Sequence, residues 1–103
     1  MENSNFVEYD FTIEAQDNTL RGDHIYEGDI VYIKKNTIIQ SGDIVALKIG
    51  DSDIKIGYCE FHPEKTIVIL KKTNPNEDEI LDLRDVFILG KAVAFLSRLK
   101  GKK

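Results

Sequence analysis

Hydrophobic and polar residues alternate along much of this chain, which is the pattern of half-buried β-strands. In YDFTIEA, at 9–15, every second residue is apolar, and DIKIGYC, at 53–59, alternates in the same way. Other segments are largely apolar runs, as expected where both faces of a strand are covered: IVYIK (30–34), IVALKI (44–49), TIVIL (66–70) and VFILGKAVAFL (86–96). The pattern predicts about six or seven short strands and almost no helix.

The segments between these runs have the composition of turns. Gly50-Asp51-Ser52 separates two predicted strands and suits a tight hairpin, and the polar stretch 73–78 predicts an exposed loop. Only EILDLRD, at 79–85, has a pattern that also fits a short helical turn.

The tetrapeptide GDIV occurs twice, at 28–31 and at 42–45. Glycine supplies a backbone angle that other residues resist, aspartate caps the turn, and Ile-Val begins a strand. The two copies diverge after the lysine that follows each of them, Lys34 and Lys48. They are therefore interpreted as two similar strand entrances and not as a repeat architecture.

Composition supports a small β-domain. The chain has 103 residues, and it contains fourteen isoleucines against four alanines, a balance that favours pleated strands over helices. No linker rich in glycine, serine or proline divides it, so residues 1–103 are predicted to form a single domain. The strands alone allow either a barrel or a sandwich.

Charge and cysteine content exclude several functions. The net charge of −4 argues against direct binding of nucleic acid, and the basic tail SRLKGKK is expected to be a solvated terminus. The chain lacks an apolar run long enough to cross a membrane and an evident signal peptide, so no membrane partner is expected. The single cysteine, Cys59, suits the reducing cytoplasm.

Metal and cofactor sites are not predicted. His24, His62 and Cys59 lack the paired short spacings of a zinc site, and neither of the common glycine-rich nucleotide motifs occurs. His24 and the pair His62-Pro63 are expected in a loop and a turn.

The order of the motifs resembles the C-terminal domain of LexA and of the phage CI-type repressors, with signal peptidases as more distant relatives. That family has a strand, G-[DE]-S-M, I-x-x-G-D-[IL]-[IV], a second G-D-[IL]-V, a strand with V-K, then L-x-x-x-N-P and a closing strand. The corresponding segments here are FTIEAQDNTL, IYEGDIV, SGDIV, Ile54-Lys55, IVILKKTNP and VFILGKAVAFL. The resemblance implies a mostly β, partly open small barrel of the LexA and signal-peptidase type.

The resemblance also implies a catalytic pair. In this family a serine hydroxyl attacks a peptide bond, and a neutral lysine removes its proton. Counting back from Ile25 places Thr19 at the serine position, and Lys55 falls at the lysine position. The added methyl of threonine restricts its rotamers, and Asp17 replaces the glycine beside it. Two interpretations of Lys55 stay open: a solvated lysine on a strand, or a buried and partnered one.

Self-cleavage by this chain is not expected. Repressors of this family cut themselves at an Ala-Gly or Cys-Gly bond upstream of the serine, and neither dipeptide occurs here. Only 18 residues precede Thr19, which leaves little room for a segment that loops into the site.

The leading hypothesis is therefore a dimerisation or oligomerisation domain of a phage-type transcriptional repressor with a degenerate protease site. It would form a homodimer or a higher homo-oligomer and reach operator DNA only through an upstream domain. The apolar start of the closing strand, Val86, Phe87, Ile88 and Leu89, is the candidate interface, and burial of both its faces within one barrel is the alternative. Two other hypotheses are an active hydroxyl/lysine peptidase using Thr19 and Lys55, and a stand-alone adaptor that binds an antirepressor.

Overall fold

A computed structural model describes residues 8–16, 18, 20–51, 53–63 and 66–97 of the chain. The described residues form seven strands: β1 (Phe11–Glu14), β2 (Ile30–Lys34), β3 (Ile44–Ile49), β4 (Lys55–Phe61), β5 (Ile67–Lys71), β6 (Glu79–Asp82) and β7 (Val86–Leu96). Three short 3-10 turns lie at Arg21–Asp23, Pro75–Glu77 and Leu83–Asp85, and the described residues contain no α-helix. The predicted mostly β class and the number of strands are confirmed.

All seven strands belong to one antiparallel sheet in the order β1-β2-β7-β3-β4-β5-β6. The strands at the two ends, β1 and β6, are not paired with each other, so the barrel is open. The long last strand, β7, lies between β2 and β3 and joins the two halves of the sheet. Both edges of β7 are therefore paired with neighbouring strands.

The sheet packs two cores on its opposite faces. Neighbouring residues of β3 show this directly, because Ala46 belongs to one cluster and Val45 and Leu47 to the other, and all three are fully buried. The first core also contains Leu20, Ile25 and residues of β2, and the second contains Cys59 and residues of β5.

One local expectation was only half right. The helical turn considered for 79–85 is confined to Leu83–Asp85, because Glu79–Asp82 forms strand β6 and pairs with β5. Ile80 on that strand is exposed while Leu81 packs against the second core. This alternation is the period of a strand, and pairing with β5 decides in its favour.

The repeated Gly-Asp has the same structure in both places. Gly28 and Gly42 have positive φ angles of 92° and 98°. Gly28 N–H donates to the Ala15 carbonyl and Asp29 accepts from Ala15 N–H, and Gly42 and Asp43 exchange the same two bonds with Cys59. Each copy thus fastens a turn to the backbone of a neighbouring segment before its own strand begins.

Candidate functional site

An open cavity of about 970 Å³ lies between the end of β1 and the β3–β4 hairpin. Ten of its twelve lining residues lie in two parts of the chain, 13–16 and 48–56. The full lining is Ile13, Glu14, Ala15, Gln16, Leu20, Lys48, Asp51, Asp53, Ile54, Lys55, Ile56 and Lys72. Its wall combines isoleucine and leucine side chains with three lysines and three carboxylates. A site of this size and mixed lining is typical of ligand pockets.

Lys55 is the first residue of β4 and lines this cavity. Its side chain is 38% exposed, and its Nζ lies 3.5 Å from Glu79 Oε2. Lys55 is therefore both half-solvated and partnered, a combination of the two interpretations that its sequence position allowed.

Glu79 joins Lys55 to a second lysine that sequence reasoning missed. The Nζ of Lys72 lies 3.4 Å from the same carboxylate oxygen, and the Lys72 side chain is only 11% exposed. Lys72 follows β5, and its backbone N–H donates to Asp78 Oδ1. The sequence contained no signal for this shared carboxylate, because the partners meet only when β6 pairs beside β5.

Thr19 lies outside the described residues, and so does Asp17. The flanking residues are fixed: Leu20 is buried in the first core, and Asn18 Oδ1 accepts from Glu27 N–H at 2.8 Å. Leu20 lines the same cavity as Lys55. The pairing of Thr19 with Lys55 stays a prediction.

The turn that follows Leu20 is held by residues of two distant segments. Gly22 N–H donates to Thr73 Oγ1 at 2.9 Å, and the Tyr58 hydroxyl is hydrogen-bonded to Asp23 and Thr73. Burial, together with the Asp23 carboxylate, raises the pKa of Tyr58. These contacts fix the turn at Arg21–Asp23 against the β5–β6 connection.

The candidate interface residues at the start of β7 have different surroundings. Val86 and Ile88 pack against the second core and Leu89 against the first, whereas Phe87 is 63% exposed. Two further apolar residues at the other end of the strand, Phe95 and Leu96, are also exposed.

Two further residues considered for chemistry, Cys59 and His24, lie outside the cavity. Cys59 is buried, and burial followed by the nearby Asp43 charge raises the pKa of its thiol to about 11. A thiol with so high a pKa is a poor nucleophile at neutral pH. His24 ends the first 3-10 turn with a φ of 65°. Across the described ranges, no cluster of metal-ligating side chains and no helix long enough to span a membrane is present.

Comparison with known proteins agrees with this architecture. Residues 2–93 match the family described as Peptidase S24-like. The chain is 31% identical over 94 residues to a LexA repressor of Thermosipho melanesiensis, covering 90% of this chain and 45% of that protein. It is 31% identical over 90 residues to LexA repressor 1 of Nocardia farcinica, covering 86% of this chain and 39% of that protein. The chain spans less than half the length of both relatives, and it belongs to the Peptidase S24-like family.

Proposed function

We propose that the chain is the self-association domain of a cytoplasmic, phage-type transcriptional repressor whose hydroxyl/lysine site is silent, meaning that it has no peptidase activity. The observation that carries this proposal is the exposure of β7. Phe87, Phe95 and Leu96 remain 63%, 46% and 51% exposed. The similarity to two proteins named LexA repressors supports the same function.

Exposed apolar side chains on a central strand favour contact with another protein surface. The backbone of β7 is already paired with β2 and β3, so a partner would contact side chains and not an open strand edge. Removing apolar surface from water contributes about 25 cal/mol per Å². A second copy of this chain is the proposed partner, in a homodimer or a higher homo-oligomer.

Self-association would act on DNA indirectly. In the whole repressor, a separate DNA-binding domain would contact each half-site of the operator, and the associated domains would hold two of them together. Linking two binding modules raises their effective concentration without new DNA contacts. The net charge of −4 is compatible with a domain that does not itself touch phosphates.

The arrangement around Lys55 supports a silent site. A general base needs a free lone pair, and a lysine gains one when it is desolvated. Lys55 is instead half-exposed and lies 3.5 Å from the Glu79 carboxylate, so the desolvation that this mechanism requires is absent around it. The threonine at position 19, in place of serine, favours the same conclusion.

We expect the purified chain to form a dimer or higher species whose population rises with concentration. Leu96→Ser and Phe87→Ser should each raise the dissociation constant about tenfold, equivalent to about 1.4 kcal/mol of lost contact. The measurement is the molar mass by light scattering across a concentration series. Ile80→Ser on β6 is the matched control, since Ile80 is also exposed, at 72%.

A strict monomer at the highest concentration would contradict self-association. If Ile80→Ser alone weakened association, the interface would lie at β6 and the proposal for β7 would be wrong.

An active hydroxyl/lysine peptidase is the second candidate, favoured by the shared cavity of Leu20 and Lys55. In that mechanism the Thr19 hydroxyl would attack a peptide carbonyl while Lys55 took its proton, the amine half of the broken peptide bond would leave with that proton, and water would hydrolyse the ester left on Thr19. If the site is silent, the intact mass should stay unchanged on prolonged incubation at alkaline pH, and Lys55→Ala should behave identically. Mass spectrometry checks this. A fragment formed by the native chain and by Lys35→Ala, but not by Lys55→Ala, would establish the peptidase instead.

A further inference from the structure

The outer edge of β6 has no strand partner among the described residues, because β6 is the last strand of the sheet and pairs only with β5. Two backbone bonds show which groups of β6 lie on this edge. Leu83 N–H donates to the Thr66 carbonyl, and on the other side of β5 His62 N–H donates to the Ile67 carbonyl. Since antiparallel strands exchange hydrogen bonds at alternate residues, both bonds place the N–H and C=O of Ile80 on the edge away from β5. No other described residue bonds to these two groups, so they can pair with an added extended chain.

Ile80 also presents its side chain on an apolar part of the sheet that belongs to neither core. The side chain is 72% exposed and lies beside Ile69 of β5, with Ile67 two residues along on the same face. Neither the first nor the second core includes any of the three. Beyond Ile69 this strip ends at an ion pair of 3.2 Å between Glu60 and Lys71. The three isoleucines, here called the isoleucine face, offer contact for an apolar side chain of the added chain.

The charges along this edge are mainly negative. Five of the nine residues 77–85 are acidic, and one is a cation. The carboxylates of Asp82 and Glu79 are each paired with a basic side chain. Glu77 and Asp78 have no ion pair with a described residue. Their charges therefore favour a basic side chain on the added chain.

The same charges disfavour a second copy of this chain as the partner. If two β6 edges paired around Ile80, Asp78 of each copy would lie beside Asp82 of the other, and like charges placed side by side cost free energy. Nucleic acid is disfavoured in the same way, because its phosphates are negative. The edge therefore favours a segment of a different protein that is extended, apolar at its centre and basic on both sides.

We infer that β6 binds an extended basic segment of another protein, which pairs with Ile80 and places an apolar side chain on the isoleucine face. Paired residues project to the same side of a sheet, and so do residues two apart, so the recognised pattern is basic-x-apolar-x-basic. The basic positions lie beside Asp78, whose backbone is extended, and beside Asp82. This surface is independent of the proposed self-association, since β6 and β7 are not neighbours in the sheet.

The experiment measures fluorescence anisotropy with three short labelled peptides, capped at both ends. Their centres are Lys-Thr-Leu-Thr-Lys, Glu-Thr-Leu-Thr-Glu and Lys-Thr-Ser-Thr-Lys in the same threonine–serine background, and each is symmetric, so either strand direction is tested. We expect the first peptide to bind about tenfold more tightly than each of the other two at low salt. At about 1 M salt the preference for lysine should shrink, because exposed charges are screened, while the preference for leucine should remain.

Variants of the chain locate the binding site. Ile80→Ser should abolish the preference for leucine over serine. Glu77→Gln combined with Asp78→Asn should abolish the preference for lysine over glutamate, and the asparagine retains an acceptor oxygen for Lys72 N–H. Hydrogen exchange of the Ile80 amide should slow when the first peptide is bound, because that N–H gains an acceptor.

The matched controls are Ile38→Ser, at an isoleucine that is 77% exposed, and Glu8→Gln combined with Glu27→Gln, at two exposed carboxylates outside β6. Equal binding of the three peptides, unchanged exchange of the Ile80 amide, or an equal effect of the control variants would overturn the inference. Light scattering separates it from the proposed function. A strict monomer that binds the first peptide selectively would contradict self-association and keep the β6 site, whereas weaker self-association of Ile80→Ser would place a second copy at β6 and overturn both.

Discussion

Gly90→Ala is expected to destabilise the chain by about 3 kcal/mol or more, a large part of the roughly 5–15 kcal/mol that holds a domain of this size folded. A Cβ at this position would lie 2.5 Å from the Lys34 carbonyl oxygen and 2.7 Å from Ile33 Cγ2. The oxygen belongs to the backbone of β2, so it cannot rotate away as a side chain can. The measurement is the free energy of unfolding in urea.

The consequence of this clash extends to the whole sheet. Gly90 lies on β7 and pairs with Ala46 of β3, while β2 passes close by on the other side. If β7 moved to admit a methyl group, it would disturb its pairing with both neighbours, which carry the two halves of the sheet. The first core, to which Ile33 and Ala46 both belong, would open at the same point.

Gly22→Ala is the matched control for this substitution. There the added Cβ would meet only the Thr73 side chain, with its hydroxyl at 3.0 Å, and no backbone atom of a neighbouring strand. We expect a loss below about 1 kcal/mol. Equal stability of the Gly90→Ala variant and the native chain would show that β2 and β7 are not so close in solution.

The strands were predictable from sequence because their burial is local and periodic. The alternation in YDFTIEA gives β1, and the largely apolar run of 86–96 gives β7, whose bounds the structure reproduces. The order of the strands was not predictable in this way. Placing the last strand between β2 and β3 depends on contacts between residues far apart in the chain, which periodicity does not encode.

The site was predictable only in part, and for the same reason. Lys55 could be singled out by its resemblance to a family position, and the structure places it in a cavity with Leu20. Its partnership with Glu79 and the buried Lys72 could not, since those residues come from the β5–β6 region and carry no distinctive motif. The residues that contact Lys55 are therefore determined by the fold, and the sequence next to Lys55 does not reveal them.

The two Gly-Asp turns allow a direct comparison, because their backbone hydrogen bonds are the same and the burial of their aspartates differs. Asp29 is fully buried, and its Oδ2 accepts from Tyr26 N–H at 2.9 Å. Asp43 Oδ2 accepts from Gln40 N–H at 2.8 Å, and it lies 3.4 Å from Lys91 Nζ with its side chain 28% exposed. We expect Asp29→Ala to cost about 2–3 kcal/mol and Asp43→Ala about 1 kcal/mol.

The difference follows from what replaces the lost oxygen. At Asp43, water can reach the freed N–H and the Lys91 ammonium, so most of the hydrogen bonding is restored. At Asp29 water has no access, and the amide of Tyr26 loses its carboxylate acceptor. The comparison requires urea unfolding of both alanine variants together with Asp29→Asn, which retains an acceptor oxygen and should recover a large part of the loss. Equal losses at the two positions would mean that burial does not set the strength of these turns.

The same alanine variants test whether the Asp29 turn holds one wall of the cavity in place. The turn of Asp29 is fastened to the backbone of Ala15, whose neighbours 13–16 form one wall of the cavity. Because the turn at Asp43 is fastened to Cys59 in the second core, its loss should leave that wall in place. Hydrogen exchange of the Ala15 amide should therefore accelerate in Asp29→Ala more than in Asp43→Ala once the difference in global stability is subtracted. Equal acceleration would show that the wall opens only with the whole domain, and the two copies of Gly-Asp would then be equivalent in function as well as in sequence.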